Sequence, residues 1–124
     1  MATVSAEITL FSREGRPVAY IDYTGEPVIY LWSGHAVAYL CKTHVYGFNG
    51  RHLGWFEDGV VINHHGERIG FTKNRCPGKP KTEPVKMDKL MQKIKSIKEM
   101  APLKPMISIS TSRENLVSFL NSGA

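Results

Sequence analysis

A glycine-centred motif occurs four times in the first 72 residues and constrains the fold more than any other feature of this chain. The copies are FSREGRPVAYI at Gly15, YLWSGHAVAYL at Gly34, YGFNGRHLGWF at Gly50 and INHHGERIGFT at Gly66, spaced 19, 16 and 16 residues apart. In each copy Val, Leu or Ile follows the glycine by three positions, Ala or Gly by four, and an aromatic residue by five. Four matches at three successive positions indicate a repeated structural unit.

Each unit has the pattern of a β-hairpin with a tight turn at the glycine. Pairs such as Asn49-Gly50 and Ser33-Gly34 suit a two-residue turn, in which positive φ is needed. Bulky residues would then face each other across each hairpin: Phe11 and Val18, Tyr30 and Val37, Tyr46 and Leu53, Ile62 and Ile69. The opposite face would carry the small residues Ala19, Ala38, Gly54 and Gly70, where the units approach one another or a common axis too closely for larger side chains.

The segments IYLWSGHAVAYL, VYGFNGRHLGWFEDGVV and HHGERIGF resemble the bacterial four-fold beta flower domain, over roughly residues 8 to 72. The resemblance implies four hairpins in a pseudo-fourfold arrangement. It also implies a family whose function is uncharacterised, so it supplies no catalytic residues. A single hairpin is marginal in water, which independently requires the four units to bury their faces together.

Positive charge is concentrated after the repeats. Residues 1–72 hold 5 Lys/Arg against 7 Asp/Glu, whereas residues 73–105 hold 10 against 3. The change begins at the run KNRCPGKPKTEP. We therefore predict three segments: a four-hairpin domain over 1–74, a basic Pro/Gly-rich linker over 75–85 and a helical C-terminal segment over 86–124.

Two helices are predicted in the C-terminal segment. The first would form over residues 86–101, KMDKLMQKIKSIKEMA. Six apolar residues would lie on one side of this helix: Met87, Leu90, Met91, Ile94, Ile97 and Ala101. Residues 116–120 supply the apolar side of a short last helix. The predicted fold class is therefore mainly β with C-terminal α, with four β-hairpin repeats in a pseudo-fourfold arrangement followed by two helices. The first helix would pack on the β domain or on a second copy, or would contact nucleic acid or a membrane surface.

No sequence motif indicates catalysis. There is no phosphate-binding glycine loop and no nucleophile elbow, and the five histidines lack the spacing of familiar zinc motifs. Cys41 and His44 could form a thiol-imidazole pair only if the fold bends them together, because residues three apart on one straight strand point to opposite faces. We predict no metal ligands, no cofactor and no enzymatic activity, and we keep a metal-dependent enzyme using the turn histidines as an alternative.

The residues beside the four turns are the main candidate site. Pseudo-symmetry would bring them to equivalent positions, and their mixture of Arg, aromatic and His side chains favours interfaces. These hairpin-tip residues are Arg13, Arg16, Trp32, His35, Phe48, Arg51, His64 and Glu67. An alternative site for nucleic acid consists of the linker and helix residues Lys79, Lys81, Lys86, Lys89 and Lys93.

The predicted function is a small, non-enzymatic binding module. It would bind a protein or ligand through the hairpin tips and self-associate through the amphipathic helix as a homodimer. The alternative is a nucleic-acid-associated protein that uses the basic residues. Neither a secretory signal nor a membrane-spanning segment is recognisable, so a cytoplasmic protein without a membrane partner is expected.

Overall fold

Eight antiparallel strands close into a barrel in the order in which they follow along the chain. This computed structural model describes residues 6–124. The elements are β1 (Glu7–Phe11), β2 (Pro17–Asp22), β3 (Val28–Leu31), β4 (Ala36–Cys41), β5 (His44–Gly47), β6 (His52–Glu57), β7 (Val60–Ile62), β8 (Arg68–Phe71) and α1 (Leu116–Asn121). Phe11 of β1 pairs with Phe71 of β8 and closes the barrel. The predicted mainly β fold with a C-terminal helix is confirmed at this level.

The glycine turns have the predicted positive φ but not the predicted length. At Gly50, φ is +88°, its N–H donates to the Gly47 carbonyl at 3.0 Å, and the Gly47 N–H donates to the Arg51 carbonyl at 2.9 Å. This is a three-residue loop in which a turn is followed by a glycine bulge, not a two-residue turn. The turns at Gly15, Gly34 and Gly66 repeat both hydrogen bonds.

The longer turns shift the register, so the predicted facing pairs are wrong. Tyr46 pairs with His52, and Val45 pairs with Gly54, which leaves Leu53 as the extra residue of a β-bulge. The same shift makes Val18, Val37 and Ile69 the extra residues of the other three hairpins. Because a bulge places two residues opposite one, the bulky side chains before and after each turn do not share a face.

The register separates an aliphatic interior from an aromatic outer wall. The interior contains side chains such as Leu10, Ile29 and Val61, together with the bulge residues Val37 and Leu53. A second cluster lies outside it and consists of Tyr20, Val28, Tyr30, Tyr39, Tyr46 and Phe48. Alternation along the strands therefore sends aliphatic side chains inward, while most of the aromatic side chains lie outside them.

Helix α1 closes the barrel interior. The Asn115 side chain caps its start by accepting hydrogen bonds from the backbone N–H groups of Val117 and Ser118. Leu116, Phe119 and Leu120 are buried in the interior cluster. A Cβ at Gly70 would lie 3.0 Å from Leu116 Cδ1, and one at Gly54 would lie 3.2 Å from Phe119 Cζ. At Gly54 a Cβ would also overlap the Ile62 oxygen of the neighbouring hairpin, so the predicted approach between units occurs there, whereas at Gly70 the close neighbour is α1.

The helix predicted over residues 86–101 does not form, and α1 is the one helix within residues 6–124. Residues 79–112, which we call the strap, instead run past the four glycine turns. An isolated helix of this length is marginal in water. The strap's backbone groups bind the turns instead, which compensates for the helical hydrogen bonds that are not made. The wider division into domain, linker and helical segment stays a prediction.

Hydrogen bonds join the strap to the turns at regular intervals. Backbone N–H groups donate from Lys81 to the Gly15 carbonyl, from Leu90 to Gly34, from Glu99 to Gly50 and from Ser108 to Gly66, at 2.8–2.9 Å. The donors are nine residues apart. The strap carbonyl two residues before each donor lies against the same glycine, so a Cβ at Gly50 would overlap the Ile97 oxygen. Glycine is therefore required by its neighbours as well as by its φ angle.

Among the residues that the structure describes, no helix has the length and apolar character needed to cross a membrane.

The strap contact can be tested by adding a side chain at the third turn. Gly50→Ala should lower the free energy of unfolding by at least about 2 kcal/mol, because positive φ alone costs an alanine about 1–2 kcal/mol and the new Cβ meets the Ile97 carbonyl. Gly25→Ala is the matched control, since its Cβ would meet nothing within 4 Å, and should change stability by less than about 0.5 kcal/mol. Urea denaturation measures both, and equal stability of the two variants would contradict the proposed contact.

Candidate interaction surface

The lysines on the strap reach back to acidic residues of the barrel. Lys86, Lys95 and Lys104 recur every nine residues, as the strap's backbone contacts do. The ion pairs are Lys86 with Glu7 at 2.9 Å, Lys89 with Glu7 and Asp22 at 2.8 Å each, Lys95 with Glu26 at 2.6 Å, and Lys104 with Glu57. Much of the strap's positive charge is thus paired with the barrel and is not presented outward.

The aromatic outer wall provides a second set of contacts for these lysines. Lys86 Nζ lies 4.7 Å from the centre of the Tyr20 ring, and Lys95 Nζ lies 4.2 Å from that of Tyr39. At these distances the ammonium groups are attracted to the ring faces. The strap therefore covers the aromatic wall with lysines whose ammonium groups are attracted to the ring faces.

Lys89 and Asp22 form an ion pair that shifts the pKa of both partners. Burial alone would raise the pKa of Asp22, but hydrogen bonds from Lys89 and Thr24 outweigh it and hold the pKa at about 2. The hydrogen bonds to Asp22 and then to Glu7 raise the pKa of Lys89. Asp22 and Lys89 both stay charged near neutral pH, so the pair fastens the strap to β2.

The other side of the strap carries large apolar side chains in solvent. Between 88% and 97% of the surface of each is exposed, and they follow a three-residue spacing: Val85, Met91, Ile94, Ile97, Met100, Leu103, Met106 and Ile109. Asp88 occupies the position in this spacing between Val85 and Met91. We call these eight residues the apolar row. Exposed apolar surface of this extent is unusual in a monomer and indicates an interaction site.

Of the two aromatic hairpin tips, Phe48 is buried and Trp32 is half-buried. Phe48 is 2% exposed and packs edge-on against Tyr39 with 5.6 Å between ring centres. The Trp32 Nε1–H donates to the Pro84 carbonyl at 3.2 Å, and its ring lies near Lys86. Because these rings contact the barrel wall and the strap, they contribute less open surface than their position beside the turns suggested.

The remaining tip residues differ in their surroundings. Arg13 donates to the Ser112 carbonyl at 3.1 Å, and Glu67 accepts from the Asn63 side chain at 3.2 Å. Arg16, His35, Arg51 and His64 are exposed. Arg13 and Arg16 also line a cavity of about 240 Å³ beside the start of α1. Binding by the tips stays a prediction.

The five lysines proposed for nucleic acid fall into two groups. Lys86 and Lys89 are held in ion pairs. Lys79, Lys81 and Lys93 are exposed, and no ion pair of theirs is found in the part of the chain that the structure describes. Fewer charges are therefore available to phosphates than the sequence suggested, and nucleic-acid binding stays a prediction.

Three histidines meet on the outer wall, which sequence spacing did not indicate. His44 Nδ1 lies 2.9 Å from His52 Nε2, and His52 Nδ1 lies 2.9 Å from His64 Nε2. The contacts use different nitrogens of His52, so the rings form a row instead of converging on one point. Within residues 6–124, no group of three or more His, Cys, Asp or Glu side chains is arranged to hold a metal ion.

Cys41 and His44 lie on two neighbouring strands, so the fold does bend them together. The chain turns at residues 42–43, and the two residues pair across β4 and β5. The Cys41 sulfur nevertheless contacts Lys98 Nζ at 3.4 Å, and His44 contacts His52. The described contacts therefore show no thiol-imidazole hydrogen bond between them.

Comparison with known proteins identifies a family. A family model described as 4-fold beta flower protein matches residues 8–120, which includes the strap and most of α1 as well as the barrel. No curated protein and no solved structure gives a significant match.

The Lys89 contact can be tested by its pH dependence. Lys89→Met should lower the free energy of unfolding at pH 7 by roughly 1 kcal/mol, since the pair is partly exposed to solvent. The lowered pKa of Asp22 makes its stabilising effect complete above about pH 4, the ordinary range of an Asp carboxyl, and progressively lost toward pH 2. The difference between variant and wild type should shrink over that range in urea denaturation. Lys93→Met is the control, and an equal loss in both variants would contradict a specific role for Lys89.

Proposed function

We propose that this chain, which belongs to the 4-fold beta flower protein family, is a non-enzymatic interaction module that binds a second copy of itself through the apolar row. The carrying observation is the exposure of eight large aliphatic side chains at a three-residue spacing that only Asp88 interrupts. The proposal keeps self-association as the function of the C-terminal segment but assigns it to the strap instead of to an amphipathic helix.

The size of the apolar row supports a second copy as the partner. Burial of a Val, Leu, Ile or Met side chain contributes about 1.5–3 kcal/mol, which corresponds to about 60–120 Å² at 25 cal/mol per Å². Eight such side chains supply roughly 500–1,000 Å². A stable interface requires about 800 Å² from each partner, and homodimer interfaces are the more apolar ones.

The distribution of charge also supports an apolar partner. Lys86, Lys95 and Lys104 each directly follow a residue of the apolar row, and all three are paired with barrel carboxylates. A surface that binds a polyanion needs free cations, because phosphate affinity comes from ion release by Lys and Arg. With these charges turned toward the barrel, the outer side of the strap is better suited to another apolar surface.

The finer description of the fold belongs to the same proposal. We interpret the barrel as four hairpin repeats in a pseudo-fourfold arrangement, and two observations support this. The four glycine turns share the same hydrogen bonds, and the strap contacts them at nine-residue intervals. A bacterial source, a cytoplasmic location and ligand binding at the hairpin tips remain predictions of the sequence.

Self-association can be tested at two neighbouring strap positions. Sedimentation velocity on the wild-type chain should show a dimer that dissociates on dilution. Ile97→Asp should raise the dimer Kd at least tenfold, because each subunit would place a carboxylate in an apolar contact at a cost above about 1.4 kcal/mol. Ser96→Asp introduces the same charge beside the apolar row and should leave Kd within about threefold.

The result that overturns the proposal is a wild-type chain that stays monomeric at several hundred micromolar, or equal effects of the two variants. Salt distinguishes the nucleic-acid alternative. Binding of a labelled DNA or RNA duplex through the strap lysines should weaken steeply between 50 and 200 mM salt, whereas dimerisation through aliphatic side chains should change little.

A further inference from the structure

A row of three imidazoles crosses the outer wall between the third and fourth hairpins. His44 lies on β5, His52 on β6, and His64 in the turn between β7 and β8. The two N···N distances are 2.9 Å, and the His52 and His64 rings stack with 5.2 Å between centres and 9° between planes. His52 is 1% exposed, and both of its nitrogens are used. The arrangement is a built hydrogen-bonded row with one buried member.

Proton counting limits what the row can hold. A neutral imidazole has one N–H donor and one acceptor nitrogen, so three neutral rings satisfy both contacts only if all the N–H groups point the same way along the row. At one end of the row lies the ring that donates its N–H to the next ring. One added proton on the other nitrogen of that end ring, which makes no contact within the row, preserves both contacts. If His44 is that ring, shifting two protons along the contacts transfers the charge to His64. A second added proton places two N–H donors face to face at one contact and breaks it.

The surroundings favour a neutral middle ring. Burial lowers the pKa of His52 to about 4, and the neighbouring His64 and His44 add to this, while the Glu99 carboxylate opposes it. Glu99 Oε1 accepts the His52 backbone N–H at 2.7 Å, and the Tyr46 hydroxyl donates to the Glu99 carbonyl at 3.0 Å. The other titratable or charged groups nearby are Lys98, which lies over the Tyr46 ring, and Arg51, His65 and Glu114, which line a cavity with His52 and His64.

We propose that His44, His52 and His64 form a single proton-binding relay that accepts one proton, shares it between His44 and His64, and loses the exposed His64 ring from the row when a second proton binds. The relay is a pH-sensitive element of the fold and is independent of the proposed self-association. Glu99 belongs to the strap: its carboxylate accepts the His52 backbone N–H, and its own backbone N–H donates to the Gly50 carbonyl. Loss of the row therefore affects the contact between the strap and the third turn.

Histidine ring nitrogens report the relay directly. Long-range ¹H–¹⁵N NMR spectra of the ¹⁵N-histidine-labelled full chain, recorded between pH 8 and pH 4, assign the tautomer and charge of each ring. His44 and His64 should share the midpoint of the first protonation step, His52 should stay neutral through it, and His64 should change again in a second step at lower pH. Three unrelated titrations, or protonation of His52 in the first step, would overturn the proposal.

Variants separate coupling from simple proximity. His52→Gln should remove the shared midpoint, so that the titrations of His44 and His64 separate by at least about 0.5 pH units. His64→Asn shortens the row to two rings and tests the same coupling at His44 if the first variant does not fold. His65→Gln is the control beside the row and should leave the shared midpoint in place. A shared midpoint that survives His52→Gln, or a His44 midpoint unchanged by His64→Asn, contradicts the relay.

Discussion

Contact between a strap carbonyl and a turn glycine is the constraint from which the rest of this structure follows. At all four turns the glycine has φ between +78° and +95°, and a Cβ there would overlap the backbone of the strap. The neighbouring strap N–H then donates to the glycine carbonyl. The four contacts hold the strap at the turns, and the residues between two contacts must span from one turn to the next. The contacts therefore determine which strap side chains reach the barrel.

The hairpins were predictable from the sequence, but their register was not. The repeat located the four glycines and their positive φ, since few other residues tolerate that conformation. It could not distinguish a two-residue turn from a three-residue turn with a bulge. Leu53 is apolar, and so is Val45, so either register leaves a plausible hydrophobic pattern. The distinction matters because a one-residue shift exchanges the two faces of a strand.

The helix over 86–101 was predicted because its apolar residues are spaced by three and four. Met91, Ile94 and Ile97 fit both a helix of 3.6 residues per turn and an extended segment with a three-residue period. The two patterns differ only further along, where Met100, Leu103 and Met106 continue the spacing of three. Local sequence also lacks the deciding information, since the strap's hydrogen-bond partners lie more than forty residues earlier in the chain.

The candidate sites were limited by the same long-range contacts. Proximity to a turn correctly placed Trp32 and Phe48 near the barrel end, yet nothing local indicated that the strap and the aromatic wall would cover them. The histidine row requires three strands or turns to meet, and positions 44, 52 and 64 have no spacing that would suggest it. Aligning the strap sequence with itself at an offset of nine residues could have found Lys86, Lys95 and Lys104. These lysines would have identified the side of the strap that faces the barrel.

The nine-residue spacing of the strap's contacts with the turns is a multiple of the three-residue spacing of its apolar side chains. This relation explains how one segment can both attach to the barrel and present an apolar surface for binding. Nine is three times three, so a segment with a three-residue period returns the same side outward at each turn that it passes. Val85, Ile94 and Leu103 are equivalent positions in this sense, and each is followed at once by a lysine that pairs with the barrel. An α-helix makes two and a half turns in nine residues, so it would present opposite sides at successive contacts. Only a non-helical strap can therefore hold its lysines against the barrel and its aliphatic side chains away from it along the whole length of the contact.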